Sequence, residues 1–118
     1  MTCLAVGATL LTLAAPAFTL SWTHSVERVD WQEEWRVEAE ALVLTRARVR
    51  GSGAGMEPGE GARLVDGWWD WPADLRVPSL ALAASGATGA GWRLCSGGAC
   101  HIIGAEATAP IVLAPCGA

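Results

Sequence analysis

Three groups of residues in this chain have the chemical types and spacing for work at a site. His24 and Glu33 set an imidazole and a carboxylate into segments otherwise rich in tryptophan, a combination used for proton transfer or for holding a ligand. Arg46, Arg48 and Arg50 recur on alternate residues and run into Gly51-Ser52-Gly53-Ala54-Gly55. Guanidinium groups beside free loop N–H groups suit a carboxylate or phosphate. Cys95 and Cys100, with His101 alongside, offer either a disulfide or a set of metal ligands.

What each group does depends on the elements that carry it. Phe18, Leu20, Trp22, His24 and Val26 alternate with small or polar residues, the period of two that marks a strand with one buried face. Val29, Trp31, Glu33, Trp35 and Val37 do the same in the next segment. A tight connection near Arg28-Val29 sets Trp22 against Trp35, His24 against Glu33 and Val26 against Trp31. In that register the two misfits satisfy each other, so His24 and Glu33 are expected to form a buried structural pair. Ser25 neighbours His24 but faces the other way, and no G-x-S-x-G turn is present, so no catalytic residue and no enzymatic activity are expected.

In "ALVLTRARVR", alternation places Ala41, Val43, Thr45, Ala47 and Val49 inward and Leu42, Leu44, Arg46, Arg48 and Arg50 outward. Two uses of the arginine face stand side by side. It is either a solvated face paired with Glu38, Glu40 or the acids of the preceding hairpin, or a contact for an external anion. In the second case Arg46, Arg48, Arg50, Gly51, Ser52, Gly53 and Gly55 are the candidate residues. A nucleotide phosphate loop is excluded, because the lysine and following Ser/Thr are missing and Pro58-Gly59 follow where a helix would begin.

Asp66-Gly67 is a turn, after which Trp69 and Trp71 share a face turned to the core while Trp68 stays near the surface. With seven Trp, one Phe and no Tyr, tryptophan supplies most of the large core fillers. In "WRLCSGGACHII" a Ser-Gly-Gly-Ala turn brings Cys95 opposite Cys100, Leu94 opposite His101 and Trp92 opposite Ile103. That geometry favours a Cys95–Cys100 disulfide over a metal site, since Cys100 and His101 point to opposite faces. No metal or cofactor is expected. Cys3 and Cys116 are left as partners for a second bridge joining the chain ends.

A chain of 118 residues is read as one domain spanning 1–118. Fourteen Gly and six Pro, spread in short clusters, punctuate strands at the spacing of an all-β fold. The expectation is a small antiparallel β-sandwich or partly closed β-barrel of about seven to nine short strands. The net charge is -4 and no lysine is present, which argues against nucleic acid as a partner. Residues 1–17 are either the first core hairpin, with strands near 2–6 and 9–13 turning at Gly7-Ala8, or an atypical signal segment that lacks a basic start.

The segments "FTLSWTHSVERVDWQEEW", "RVRGSGAGMEPGEGA", "GWWDWPADL" and "WRLCSGGAC", in that order, resemble the bacterial domain of unknown function 1850 (DUF1850) family over most of residues 18–100. The most specific pieces are His24-Ser25-Val26-Glu27, Glu33-Glu34 and Gly53-Ala54-Gly55. The resemblance implies a small protein associated with TRAP transporters of the TAXI type, which import organic acids with an extracytoplasmic binding protein. It implies no enzymatic activity. A non-enzymatic accessory role follows as the expectation, with a transporter subunit or its binding protein as partner and an organic acid as a further ligand. A small carboxylate- or anion-binding module and a structural protein are the alternatives. The expected location is the cell envelope, on its extracytoplasmic rather than its cytoplasmic side.

Overall fold

The computed structural model describes residues 2–23, 29–50, 60–84 and 91–116. His24, Gly51, Ser52, Gly53 and Gly55 therefore lie outside the described residues. Those described form eleven strands: β1 (Thr2–Val6), β2 (Thr9–Leu13), β3 (Ala17–Thr23), β4 (Asp30–Val37), β5 (Leu42–Arg50), β6 (Arg63–Val65), β7 (Trp68–Val77), β8 (Leu80–Leu82), β9 (Trp92–Ser96), β10 (Ala99–Ile103) and β11 (Ile111–Pro115). The strands are more numerous than the seven to nine expected, and the all-β class is as expected.

Two antiparallel sheets are present, a smaller one ordered β2-β1-β11-β8 and a larger one ordered β10-β9-β3-β4-β5-β7-β6. Between them lies a core to which the smaller sheet gives Leu4, Leu13, Leu82 and Leu113. The larger sheet gives Phe18, Leu20, Trp35, Leu42, Leu44, Leu94 and Ile103. This is sandwich packing, with each strand turning alternate residues to the shared core. Leu4, Leu20, Leu42, Leu94 and Leu113 are wholly buried, so the facing of β1, β3, β5, β9 and β11 is fixed by the largest apolar gain available to each.

The tight turns follow the chemistry of their residues. Asp66 and Gly67 take φ of 50° and 85°, and Gly97 and Gly98 take 58° and 83°, the left-handed pairs that two-residue hairpin loops need. At Gly91 the demand is closer contact. A Cβ there would lie 2.8 Å from the Ile103 carbonyl oxygen, so a side chain would displace the start of β9 from the end of β10.

The β3–β4 pairing corrects the sequence-based register. Trp22 faces Trp31, Leu20 faces Glu33 and Phe18 faces Trp35, so Glu33 stands opposite Leu20 and not at the position expected for His24. The pairing is centred two residues earlier in the chain than the turn assumed at Arg28-Val29. The slip is an even number of residues, which preserves every side chain's face and changes only its partner. Trp22 and Trp31 stack nearly parallel with centroids 6.0 Å apart, and Trp92 closes on Trp22 at 4.6 Å, contacts that the alternative register would lose.

A second correction concerns β5. Register shifts between Glu34 and Trp35 on one side and between Leu44 and Arg46 on the other make Thr45 a bulge. Its hydroxyl donates to the Glu34 carbonyl at 3.1 Å. Leu42 and Leu44, expected outside, are core residues because the bulge resets alternation at Thr45. Arg46, Arg48 and Arg50 still face away from the core.

Disulfides join Cys95 to Cys100 and Cys3 to Cys116, with Cα separations of 4.1 Å and 5.3 Å. Their sequence separations of 5 and 113 residues give them unequal leverage on the unfolded chain. Loop-closure entropy assigns about 2 kcal/mol to the short loop and about 5 kcal/mol to the long one. Replacing Cys3 and Cys116 by Ser should therefore lower the midpoint of urea unfolding much more than replacing Cys95 and Cys100, with a larger m-value where the long loop is opened, because the unfolded chain then exposes more surface. Equal losses would show that loop entropy is not what the bridges supply.

Candidate functional site

The larger sheet has one face on the core and one away from it, and the outer face carries the chain's organised charge. Pairing across the sheet sets Ile102, Arg93, Ser21, Gln32, Arg48, Asp70 and Arg63 in one row, one residue from each strand. The row nearer the Asp66-Gly67 turn holds Thr23, Asp30, Arg50, Trp68 and Val65. The row on the other side holds Cys100, Cys95, Thr19, Glu34, Arg46 and Pro72.

The three arginines of β5 differ in what they touch. Arg46 is held on two sides. Its Nε donates to Asp70 Oδ1 at 2.6 Å, a second guanidinium nitrogen meets Asp70 Oδ2, and Glu34 lies 3.5 Å away. The hydrogen bond from Arg46 holds the Asp70 carboxyl below its ordinary pKa, and Asp70 in turn raises that of Arg46. Glu38, which the sequence offered as a partner for this row, is instead taken by Arg36 at 2.7 Å and by Arg76.

Arg48 has no such partner. Its guanidinium lies 4.7 Å from the centre of the Trp68 ring, and its Nε is buried with no hydrogen-bond acceptor. Arg50 approaches the same ring at 5.8 Å. Among the described residues neither makes an ion pair. Trp68 is thus the surface tryptophan that alternation separates from Trp69 and Trp71, and it serves as a platform for two cations.

Between β5 and the edge of the sheet runs an open groove of about 410 Å³, lined by Ser21, Thr23, Asp30, Gln32, Trp68 and Arg93 among others. Arg93 escaped sequence reasoning because it stands alone on β9. Only the pairing of β9 with β3 brings it into the row of Gln32 and Arg48. Asp30 accepts a hydrogen bond from the Thr23 hydroxyl at 2.8 Å, which occupies part of the one carboxylate on the lining.

Glu33 sits on the opposite, inner face between Leu20 and Ala47. Its Oε1 accepts from the Trp35 indole N–H at 3.0 Å. Burial raises its pKa above the ordinary value, and the indole hydrogen bond opposes this only in part. The His24 half of the expected pair lies outside the described residues. No group of three His, Cys, Asp or Glu that could hold a metal occurs among the described residues, and no helix there is long and apolar enough to cross a membrane.

The family model described as domain of unknown function (DUF1850) matches residues 18–103, which contain nearly all of the larger sheet and its outer face. No curated protein matches the chain. No solved structure matches it either.

A carboxyl whose pKa is raised on folding is penalised when ionised. The penalty is absent below the unfolded value, near 4.5, and grows as pH climbs through the raised folded value. Glu33→Gln keeps an acceptor for Trp35 and removes the charge. The variant should melt higher than wild type at pH 8 and at the same temperature at pH 4. A variant that melts lower than wild type at pH 8 would mean that the ionised carboxylate is the stabilising form.

Proposed function

We propose, for a chain that belongs to the DUF1850 family, that it is a non-enzymatic accessory of a TAXI-type TRAP organic-acid transporter whose working surface is the outer face of the larger sheet. The transporter part of this reading is supported by the family resemblance. The choice of surface is supported by one observation above the others, the unpartnered buried Nε of Arg48.

A buried donor without an acceptor costs about 1–3 kcal/mol, and hydrogen bonds to a charged partner return about 1.5–3 kcal/mol. A carboxylate arriving beside Arg48 would instead pair with its guanidinium charge, which has no carboxylate partner among the described residues. It would also bring an anion to the two guanidinium groups that approach the Trp68 ring. Arg46 is excluded from this role because Asp70 and Glu34 already hold it. The working set is therefore Arg48 and Arg50 on Trp68, with Gln32 beside them. The alternative of a free-standing carboxylate-binding module uses the same residues and differs only in lacking a transporter partner.

Two measurements test the reading. Co-purification of the tagged protein from its native membrane should bring down a transporter subunit or its binding protein. Titration with propionate at low salt should saturate, and the affinity should fall as ionic strength rises to about 0.15 M, where the screening length is about 8 Å. Arg48→Gln should weaken propionate by about tenfold or more, in line with the loss of a charge-assisted contact. Its melting temperature should change little, because a cation–π contact at a half-buried ring contributes only about 1 kcal/mol. Wild-type affinity in Arg48→Gln would remove this surface from the proposal.

A further inference from the structure

β2 ends the smaller sheet, and among the described residues no strand pairs with its far side. The Gly7 N–H donates to the Val112 carbonyl and the Cys116 N–H to the Cys3 carbonyl, so these β1 residues turn their backbone groups toward β11. Alternation then turns the groups of Leu4 and Val6 toward their β2 partners, Leu11 and Thr9. On β2 itself the N–H and C=O of Leu10 and Thr12 are left pointing out of the sheet. That edge lacks the usual protections. Its sequence, TLLTL, has no charge and no proline, and its register with β1 is unbroken by a bulge. At the opposite edge β8 is three residues long and follows Pro78.

A groove runs beside this edge. In the larger sheet His101 pairs with Leu94 and shares its inward face, yet Leu94 is wholly buried and His101 is exposed. β10 therefore extends past the cover that β2 provides. The space so left, about 450 Å³, is lined by Thr9 and Leu11 of β2, His101 and Ile103 of β10 and Ile111 of β11, among others. We infer that β2 is a strand-addition site for an uncharged, extended segment of a partner protein. The segment pairs antiparallel with Leu10 and Thr12 and lays the apolar side chains of alternate residues over Leu11, His101 and Ile103. This site lies on the other sheet from the arginine face and does not depend on it.

The chemistry of the edge selects this occupant. Backbone donors and acceptors in line at strand spacing are matched by another strand, with the groove reading its alternate side chains. An antiparallel partner continues the pairing that the whole sheet already uses. β1, β2, β8 and β11 hold no charged residue, so a charge on the incoming segment would be buried there unpaired. A second copy fits less well. The two-fold axis that would pair β2 with its own copy runs about 2.4 Å outside β2, half a strand spacing. β10 overhangs on that side, so the copy's β10 would compete for the same space, an obstacle that a single extended segment does not meet.

The probe is a peptide of sequence Thr-Val-Thr-Val-Thr-Val-Thr with capped ends and a C-terminal fluorophore, followed by anisotropy as the protein is added. Binding to the wild-type protein should saturate. With valines over the groove, the threonines lie beside Leu10 and Thr12 and their amides reach β2. N-methylation of the threonine amides should therefore weaken binding by about tenfold or more, and N-methylation of the valine amides should leave it within about twofold. Thr12→Pro removes an edge N–H without touching the ladder to β1 and should cause a similar loss. His101→Glu, which sets a charge beneath the added strand, should do the same. Absence of saturable binding, equal effects of the two methylations, a loss confined to the valine set, or wild-type affinity in Thr12→Pro would overturn the site. So would a dimer in sedimentation velocity that Thr12→Pro abolishes, since a second copy would then hold the edge. Melting curves of both variants show whether a loss is misfolding, and the methylated peptides test the pairing on the wild-type protein alone.

Discussion

The structure depends on one requirement, that the inner face of the larger sheet be apolar where the smaller sheet covers it. Phe18, Leu20, Trp35, Leu42, Leu44 and Leu94 meet Leu4, Leu13, Leu82 and Leu113 there. Because strand residues alternate, fixing these side chains inward fixes every neighbour outward. The outer row of Arg93, Ser21, Gln32 and Arg48 is thus a consequence of the core. The Thr45 bulge reconciles two demands on β5, since without it Leu42 and Leu44 would share the face of Arg46 and leave the core short of two leucines.

The same logic separates what was legible in the sequence from what was not. Alternation gave the faces of β3 and β4, and the two-residue turns at Asp66-Gly67 and Gly97-Gly98 carried their own signatures. The Cys95–Cys100 and Trp92–Ile103 pairings followed from the second turn. Where no such turn was written, the register slipped: β3 and β4 are joined through residues 24–29, and nothing local in that segment states where the pairing begins. Periodicity cannot detect a slip of an even number of residues. The bulge was equally hidden, because threonine at position 45 fits an unbroken strand as well as a bulged one. The candidate site was half visible, Arg48 and Arg50 from spacing along β5, and Arg93 only from the non-local pairing of β9 with β3.

Charge on the outer face divides into arginines that are spent and arginines that are not. Arg36 and Arg76 converge on Glu38, and Arg46 is held by Asp70 and Glu34. These exposed pairs each contribute little to stability, and their larger effect is to remove acids from competition. With Asp70 and Glu34 engaged at Arg46, Arg48 and Arg93 are left without an ion pair among the described residues. A row of three alternate arginines, uniform in sequence, has become one structural ion pair and two cations on an aromatic ring.

A row of polar side chains laid across strands differs from one built on loops in what positions it. Gln32, Arg48 and Ser21 sit on central strands bonded on both sides, where local opening is rarest, so their spacing is preorganised. Arg93 is nearer the sheet edge, with only β10 beyond it, and edges are where pairing frays first. The Cys95–Cys100 bridge crosses that edge hairpin one row from Arg93. It ties β10 to β9 where hydrogen bonding alone is weakest. The short-loop disulfide, which does least for global stability, is thus placed where it most restricts the edge hairpin that carries Arg93.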